Sequence, residues 1–286
     1  MAPDSNNQQP DFTARELTDT EYEEIRLMIY NLCRLSFDKD KKQLVQYRLG
    51  KRLRDLGFDS YRQYLKFVKS QESGEELTAL INALTTNLTY FFREPDHYDF
   101  LTEEIFKPYS KMPRDTRLRL WSAGCASGEE AYTIAMVMRE AIPDLERRDA
   151  LILATDISTR VLDIARKGIY TIERFKDTPD ALREKYFEPV DINGQTHFRA
   201  LPSLTQFIRF RHLNLMGEWP MKNDMDVIIC RNVMIYFDRE TQGLLVNRYY
   251  EQLKPGGFLI VGHSETLTGV KHAYEHYKKT IHKKSE

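Results

Sequence analysis

The run LRLWSAGCASGEEAYTIA, residues 118–135, constrains this chain more than any other stretch. A short apolar strand leads into a loop with Gly124 and Gly128. A helix follows with Ala131, Ile134, Ala135 and Met138 on one face. The pattern recurs. "LILAT" leads into Asp156 and a helix with Val161, Leu162 and Ile164, and "DVIIC" leads into RNVMIYF and a helix over 239–252. "FLIVG" at 258–262 follows the turn Lys254-Pro255-Gly256-Gly257. Strands alternating with helices predict a mostly parallel, doubly wound α/β sheet. In such sheets the ligand lies outside the C-terminal strand ends. Loops 122–130 and 230–237 and Asp156 all fall there, so three loops converge on one crevice.

Two regions depart from the alternation. From 18 to about 86 the period is helical. Thr18 and Glu21 have the spacing of a capping box, and Ile25, Met28, Ile29 and Leu32 fall on one face. Tyr61, Tyr64, Leu65 and Val68 repeat that spacing, as do Leu77, Leu80, Ile81 and Leu84. Between them Val45, Leu49 and Leu53 form a stripe that Gly57 would stop, while Arg48, Lys51 and Arg52 share another face. That basic face is either a solvated surface or a docking site for an acidic helical partner. Residues 170–205 read as a small β-rich insertion, with Asn193-Gly194 as a hairpin turn and 207–213 returning to the main sheet. The expected organisation is a flexible tail over 1–17, a helical domain over 18–90 and an α/β domain over 91–286.

At 286 residues, two domains are expected. A net charge of −1, with no stacking platform of aromatics on a sheet, speaks against nucleic acid. Cys33, Cys125 and Cys230 form no CxxC pair, and His272 and His276 lie in a polar tail, so no metal is expected. There is no signal pattern and no apolar run of membrane-spanning length, so a cytoplasmic protein without membrane insertion is expected.

Gly124 and Gly128 let the backbone approach a ligand closely, and Asp156 can accept two ribose hydroxyls. The acid lies 28 residues past Gly128 and no G-x-G-x-x-G is present, which argues against NAD. No Walker lysine follows the loop, which argues against ATP hydrolysis. By themselves these residues say only that the cofactor is nucleoside-like.

The runs TTNLTYFFRE (85–94), WSAGCASGEEAYTIA (121–135), ATDIS (154–158), CRNVMIYFD (230–238) and LKPGGFLIVGHSE (253–265) go further. In this order they resemble the CheR-type chemotaxis receptor methyltransferases, over residues 20 to about 270. The resemblance implies a small N-terminal helical bundle and a doubly wound Rossmann-like S-adenosylmethionine methyltransferase domain with an inserted antiparallel β subdomain. It implies methyl transfer to glutamate side chains of chemotaxis receptors, leaving S-adenosylhomocysteine. By motif it implies cofactor contacts at Asn87, Thr89, Arg93, Gly124, Glu130, Asp156, Asn214, Leu215, Arg231 and Asn232. Asp156 would bind the ribose and Glu130 would face the methionine ammonium. Many methyltransferases carry an acid two residues before the first glycine; here that position is Ser122, a lack the receptor-methylating family shares.

Plainer readings stand beside these. Glu130 can be a favourable charge at a helix N-terminus, Asn87 and Thr89 can cap between domains, and Asn214 can shape a turn. A glutamate carboxylate, with a pKa of about 4.3, is ionised at neutral pH and needs no general base. The fork of Arg93 suits a planar carboxylate, unless it pairs with Glu94 or Asp96. Tyr236 can donate a further hydrogen bond, wall the methyl channel or simply pack. RNVMIYF lacks the paired prolines common in amino-group methyltransferases, which favours an oxygen nucleophile. His263 is expected to be structural. The basic helix would dock the cytoplasmic helical bundle of the receptor through Arg48, Lys51 and Arg52. Family members can bind a receptor C-terminal tether at the β subdomain; the short turn Asp191–Thr196 predicts weak or absent tether binding. The rivals are a methyltransferase for another carboxylate or for nucleic acid, and a non-catalytic cofactor-binding scaffold.

Overall fold

The computed structural model describes residues 16–70, 74–222 and 224–286. Most of the expected tail lies outside the described residues. Leu17, assigned to that tail, is fully buried, and its N–H donates to Gln46 Oε1 at 3.2 Å. The chain divides into two units: residues up to Asn31 together with Phe37–Leu84, and Leu32–Ser36 together with Thr85–Glu286.

The first unit is helical, with α1 (Asp19–Cys33, whose last two residues belong to the second unit), α2 (Lys42–Leu56), α3 (Tyr61–Ser70) and α4 (Glu75–Leu84). The capping box forms in both directions. Thr18 N–H donates to Glu21 Oε2 at 3.0 Å, and Glu21 N–H donates to Thr18 Oγ1 at 3.3 Å. Gly57 ends α2 in the left-handed region, with its N–H donating to Arg54 O. Ile25, Ile29, Val45, Leu49, Leu53, Tyr61, Tyr64, Leu65, Val68, Leu80 and Leu84 are buried, so the stripes read from the sequence form this core.

The second unit holds the strands β1 (Leu118–Ala123), β2 (Ala150–Asp156), β3 (Ile169–Thr171), β4 (Phe187–Ile192), β5 (Gln195–Ala200), β6 (Ile208–His212), β7 (Met225–Cys230), β8 (Leu253–Val261), β9 (Glu275–Lys278) and β10 (Ile281–Lys283). The main sheet runs β6-β2-β1-β7-β8-β10-β9. Its first five strands are parallel, and β10 and β9 are antiparallel additions. The fully buried Leu120, Trp121, Ile152, Val227, Ile228 and Ile260 explain the near-continuous apolar texture of these strands. The helices Glu129–Ala141, Thr159–Lys167 and Arg239–Gln252 follow β1, β2 and β7. Asp238 caps the last of these by accepting Thr241 N–H at 2.8 Å.

The insertion folds as the separate antiparallel sheet β3-β5-β4. Asn193 and Gly194 both have positive φ (54° and 77°), as the two-residue hairpin turn requires. The region also carries a helix, Asp180–Tyr186, which its β-rich reading did not include.

Three local expectations change. Ile164 is exposed, because its helix buries Val161, Leu162 and Ala165 instead. β8 starts at Leu253, before the turn residues; a register shift between Met225 and Val227 of β7 absorbs them. Gly257 is required there, since a Cβ would lie 2.9 Å from Lys254 O and 3.0 Å from Asp226 O. The polar tail is not a tail: His276 lies on β9, and β10 pairs with β8 through the buried Ile281. Strands this short, with one apolar anchor, carry almost no alternation to read.

Candidate active site

β1 lies between β2 and β7, at the point where the chain turns back to build the other half of the sheet. This is the switch point, where open α/β sheets bind ligands. The tips of the three strands are tied together. Gly124 and Cys125 N–H both donate to Thr155 O, at 2.8 and 2.9 Å. Gly124 has φ 89°, and a Cβ there would lie 2.4 Å from Val233 Cγ2. A side chain at 124 would therefore push the β1 loop off the β7 loop. Asp156 accepts Ala126 N–H at 2.9 Å and Ser158 N–H at 2.8 Å. Burial pushes its carboxyl above the usual range, and those backbone donors oppose the shift. A carboxylate has about four acceptor positions; Ala126 and Ser158 take two of them and Ile157 N–H is also directed at the group.

Across the crevice sits Arg231, almost wholly buried. Its Nε is 3.4 Å from Glu94 Oε2 and 3.5 Å from Glu130 Oε2, and its guanidinium carbon lies 5.3 Å from the centre of the Tyr98 ring. Nη2 donates to the carbonyl of Arg93. Nε and Nη1 of Arg231, and Oε2 of Glu94, find no hydrogen-bond partner among the described residues. Buried polar groups normally do. Ser122 Oγ donates to Glu130 Oε1 at 2.6 Å. The serine two residues before Gly124 thus supports an acid on the next helix. Burial raises the Glu130 carboxyl, opposed chiefly by Arg231 and Ser122.

The other sequence-predicted residues are placed as follows. Arg93 pairs with neither Glu94 nor Asp96. Its Nη1 donates to Leu88 O at 3.1 Å and its guanidinium lies over Tyr90; Glu94 is instead taken by Arg231 and Asp96 by His263. Asn87 Oδ1 accepts the Thr85 hydroxyl, and Thr89 O accepts Arg174 Nη1. The side chain of Asn214 is committed to backbone: Nδ2 donates to Leu32 O and Oδ1 accepts Met216 N–H, at 2.8 and 2.9 Å. This is the turn-shaping geometry. Leu215 is buried in the core. Asn232 has φ 58°, and its Nδ2 lies 3.4 Å from Glu94 Oε1. Tyr236 is half-buried, with its carbonyl accepting Ser36 N–H. In the helical unit Arg48 donates to Leu84 O and Arg52 forms a double hydrogen bond with Glu76, while Lys51 is exposed.

Sequence reasoning missed Glu94 and Glu265 as parts of the crevice. Glu265 accepts four backbone N–H groups around the β7 loop. Glu94 was legible only as a neighbour of Arg93. His97 is buried, its Nε2 is 2.7 Å from Thr280 Oγ1, and burial together with the Arg231 charge pushes it down to about 4. Glu94, His97 and His263 bring one ligand atom each within 4.8 Å of one another. The Glu94 oxygen facing His97 is the one beside Arg231, so a cation there would meet a guanidinium.

These groups fit an amino-acid zwitterion joined to a nucleoside. There is a carboxylate with spare acceptors for a diol, a guanidinium with unmet donors for a carboxylate, and two acids for an ammonium. Together with the doubly wound sheet this defines a Rossmann-like domain of the S-adenosylmethionine-binding kind.

Comparison with known proteins sharpens that class. Residues 87–283 match the family described as CheR methyltransferase, SAM binding domain, and residues 20–85 match CheR methyltransferase, all-alpha domain. The chain belongs to the CheR methyltransferase family and is an S-adenosylmethionine-dependent methyltransferase. It is 38% identical over 260 residues to the chemotaxis protein methyltransferase of Borreliella burgdorferi, covering 89% of this chain and 91% of that one. It is 37% identical to chemotaxis protein methyltransferase 2 of Vibrio cholerae, covering 89% and 88%. It is 36% identical to a probable chemotaxis protein methyltransferase of Rhizobium etli, covering 87% and 93%. Among the described residues no helix is long and apolar enough to cross a membrane.

Proposed function

We propose that this chain methylates glutamate side chains of chemotaxis receptors in the cytoplasm, giving glutamate methyl esters as the adaptation step of chemotactic signalling. The observation that carries this reading is the likeness to chemotaxis protein methyltransferases over both the helical and the α/β parts of the chain.

Bound S-adenosylmethionine supplies an electrophilic methyl group. The protein's part is to hold and align. Asp156 holds the ribose hydroxyls. Arg231 and Asn232 hold the amino-acid end, and Glu130 neutralises its ammonium. Gly124 keeps the β1 loop low enough for close approach, and Asn87, Thr89, Asn214 and Leu215 line the remaining contact. Asn214 acts through its backbone and the turn it fixes, since its amide is engaged elsewhere. Arg93 orients the substrate carboxylate, with Tyr236 beside it as donor or wall. The nucleophile is an anion already, so the catalytic requirement is an approach of about 3 Å in line with the bond that breaks.

The exposed Lys51 leads the docking surface for the acidic receptor bundle. Arg48 and Arg52 add field from the same helix while holding α4. The two-residue hairpin turn at Asn193-Gly194 leaves little surface for a receptor tether, so tether binding is weak or absent. Nothing in the charge distribution favours nucleic acid.

The test is transfer of labelled methyl to receptor-containing membranes, followed by mild alkali. Label released as methanol is expected. Alkali-stable label, or none transferred, contradicts the reading.

A further inference from the structure

Glu265 accepts four backbone N–H groups from two strand ends. Oε1 takes Val233 and Met234 at 2.9 and 2.7 Å, and Oε2 takes Asn232 and Gly262 at 2.8 and 2.6 Å. Three of the donors are consecutive, an arrangement that favours an anion, and the glutamate is buried. The wedge is tight. A Cβ on Gly262 would lie 2.7 Å from Asn232 Nδ2 and 2.9 Å from both Asn232 N and Glu265 Oε2. The loop gripped in this way carries Asn232 in the left-handed region, where a side chain is tolerated rather than preferred. Arg231, one residue earlier, enters the crevice and meets Glu94 and Glu130.

We propose that Glu265 is a positioning residue for cofactor binding. It fixes the backbone of 232–234 so that Arg231 and Asn232 present the amino-acid-binding side of the crevice before the cofactor arrives. This rests on the reading of Arg231 and Asn232 given above. Glutamine at 265 has the same shape but one acceptor oxygen, so its NH₂ would face one pair of donors. Two backbone N–H groups would then lose their partner.

The test is Glu265→Gln in the full chain, with three readouts. In the cofactor-free protein, the amides of 232–234 and 262 should lose hydrogen-exchange protection while those of β1 and β2 keep theirs. The dissociation constant for S-adenosylhomocysteine should rise about tenfold to a hundredfold, the effect of losing hydrogen bonds to a charged group. The KM for S-adenosylmethionine should rise with it, while kcat at saturation stays within about threefold. A loss of global stability alone would move none of these selectively. Retained amide protection overturns the proposal, as does lost protection with unchanged S-adenosylhomocysteine affinity. Asn232→Ala separates the two readings. If it leaves affinity unchanged while Glu265→Gln weakens binding, the assignment of Asn232 fails and the holding role of Glu265 stands. Should Glu265→Gln not fold, Gly262→Ala drives a methyl into the same wedge and must weaken cofactor binding, or the proposal falls.

Discussion

Two buried charge clusters in this molecule look alike in composition and differ in completeness. In the helical unit Glu76 accepts Arg52 Nε at 2.9 Å and the Tyr64 hydroxyl at 2.7 Å, with Arg52 Nη2 on its other oxygen. Burial would raise the Glu76 carboxyl, yet Arg52 and Tyr64 hold it below its ordinary value. At the strand tips Arg231 faces Glu94 and Glu130 beside Tyr98, and the cluster is left unfinished. Among the described residues, guanidinium donors of Arg231 and an oxygen of Glu94 find no hydrogen-bond partner, and Glu130 is pushed up rather than down. A closed network serves the fold. An open one, at a sheet's switch point, is the kind of polar network and perturbed acid that functional sites carry.

The largest effect that could break this contrast comes from removing the two arginines in turn. Arg231→Met and Arg52→Met each strand a buried acid, and each should cost about 3–5 kcal/mol in chemical denaturation. Only Arg231→Met should also abolish measurable S-adenosylhomocysteine binding by calorimetry; Arg52→Met should leave it within about twofold. Equal losses of binding in both variants would erase the distinction. The double variant Arg52→Met/Glu76→Leu should recover most of the stability, because both charges leave together.

A smaller effect sharpens the difference through pH. His97 is pushed down to about 4 by burial and by Arg231, against opposing pulls from Asp96 and Glu94. Its proton is therefore bound more readily in the unfolded chain. Stability from this group is fully present above about pH 6.5 and is lost as pH falls toward 4. The loss amounts to a few kcal/mol at about 1.4 kcal/mol per unit. Denaturation midpoints of His97→Gln should fall less steeply than wild type across that window. Parallel curves would show that the histidine charges freely in the fold.

The smallest concerns the helical unit alone. Thr18→Ala removes one side of the capping box and should cost about 1 kcal/mol without changing cofactor affinity.

The sequence carried the frame of the crevice further than its wiring. The tips of β1, β2 and β7 were legible because each apolar strand runs straight into glycine, acid or arginine, and those residue types are conspicuous after Ile or Leu. Gly124 was legible as a tight turn, though its closest neighbour, Val233, is more than a hundred residues away. The links between loops were not legible. Ser122 to Glu130 links a strand to the helix after it, Asn214 to the Leu32 carbonyl links a loop to α1, and Glu265 to the 232–234 amides links two adjacent strand ends; periodicity encodes none of these. β9 and β10 were hidden for another reason: an edge pair with one buried isoleucine needs no apolar pattern. Arg48 and Arg52 looked like free surface charge because α4, which receives both, is remote in sequence from α2.

The most direct test of the central claim is a crystal structure of the protein with S-adenosylhomocysteine. The expected result is the ribose hydroxyls on Asp156, the homocysteine end against Arg231 and Glu130, and hydrogen-bond partners for the Arg231 Nε and Nη1 groups, which have none among the described residues. A nucleoside bound away from the Gly124–Glu130 loop and Asp156, with Arg231 unchanged, would contradict it.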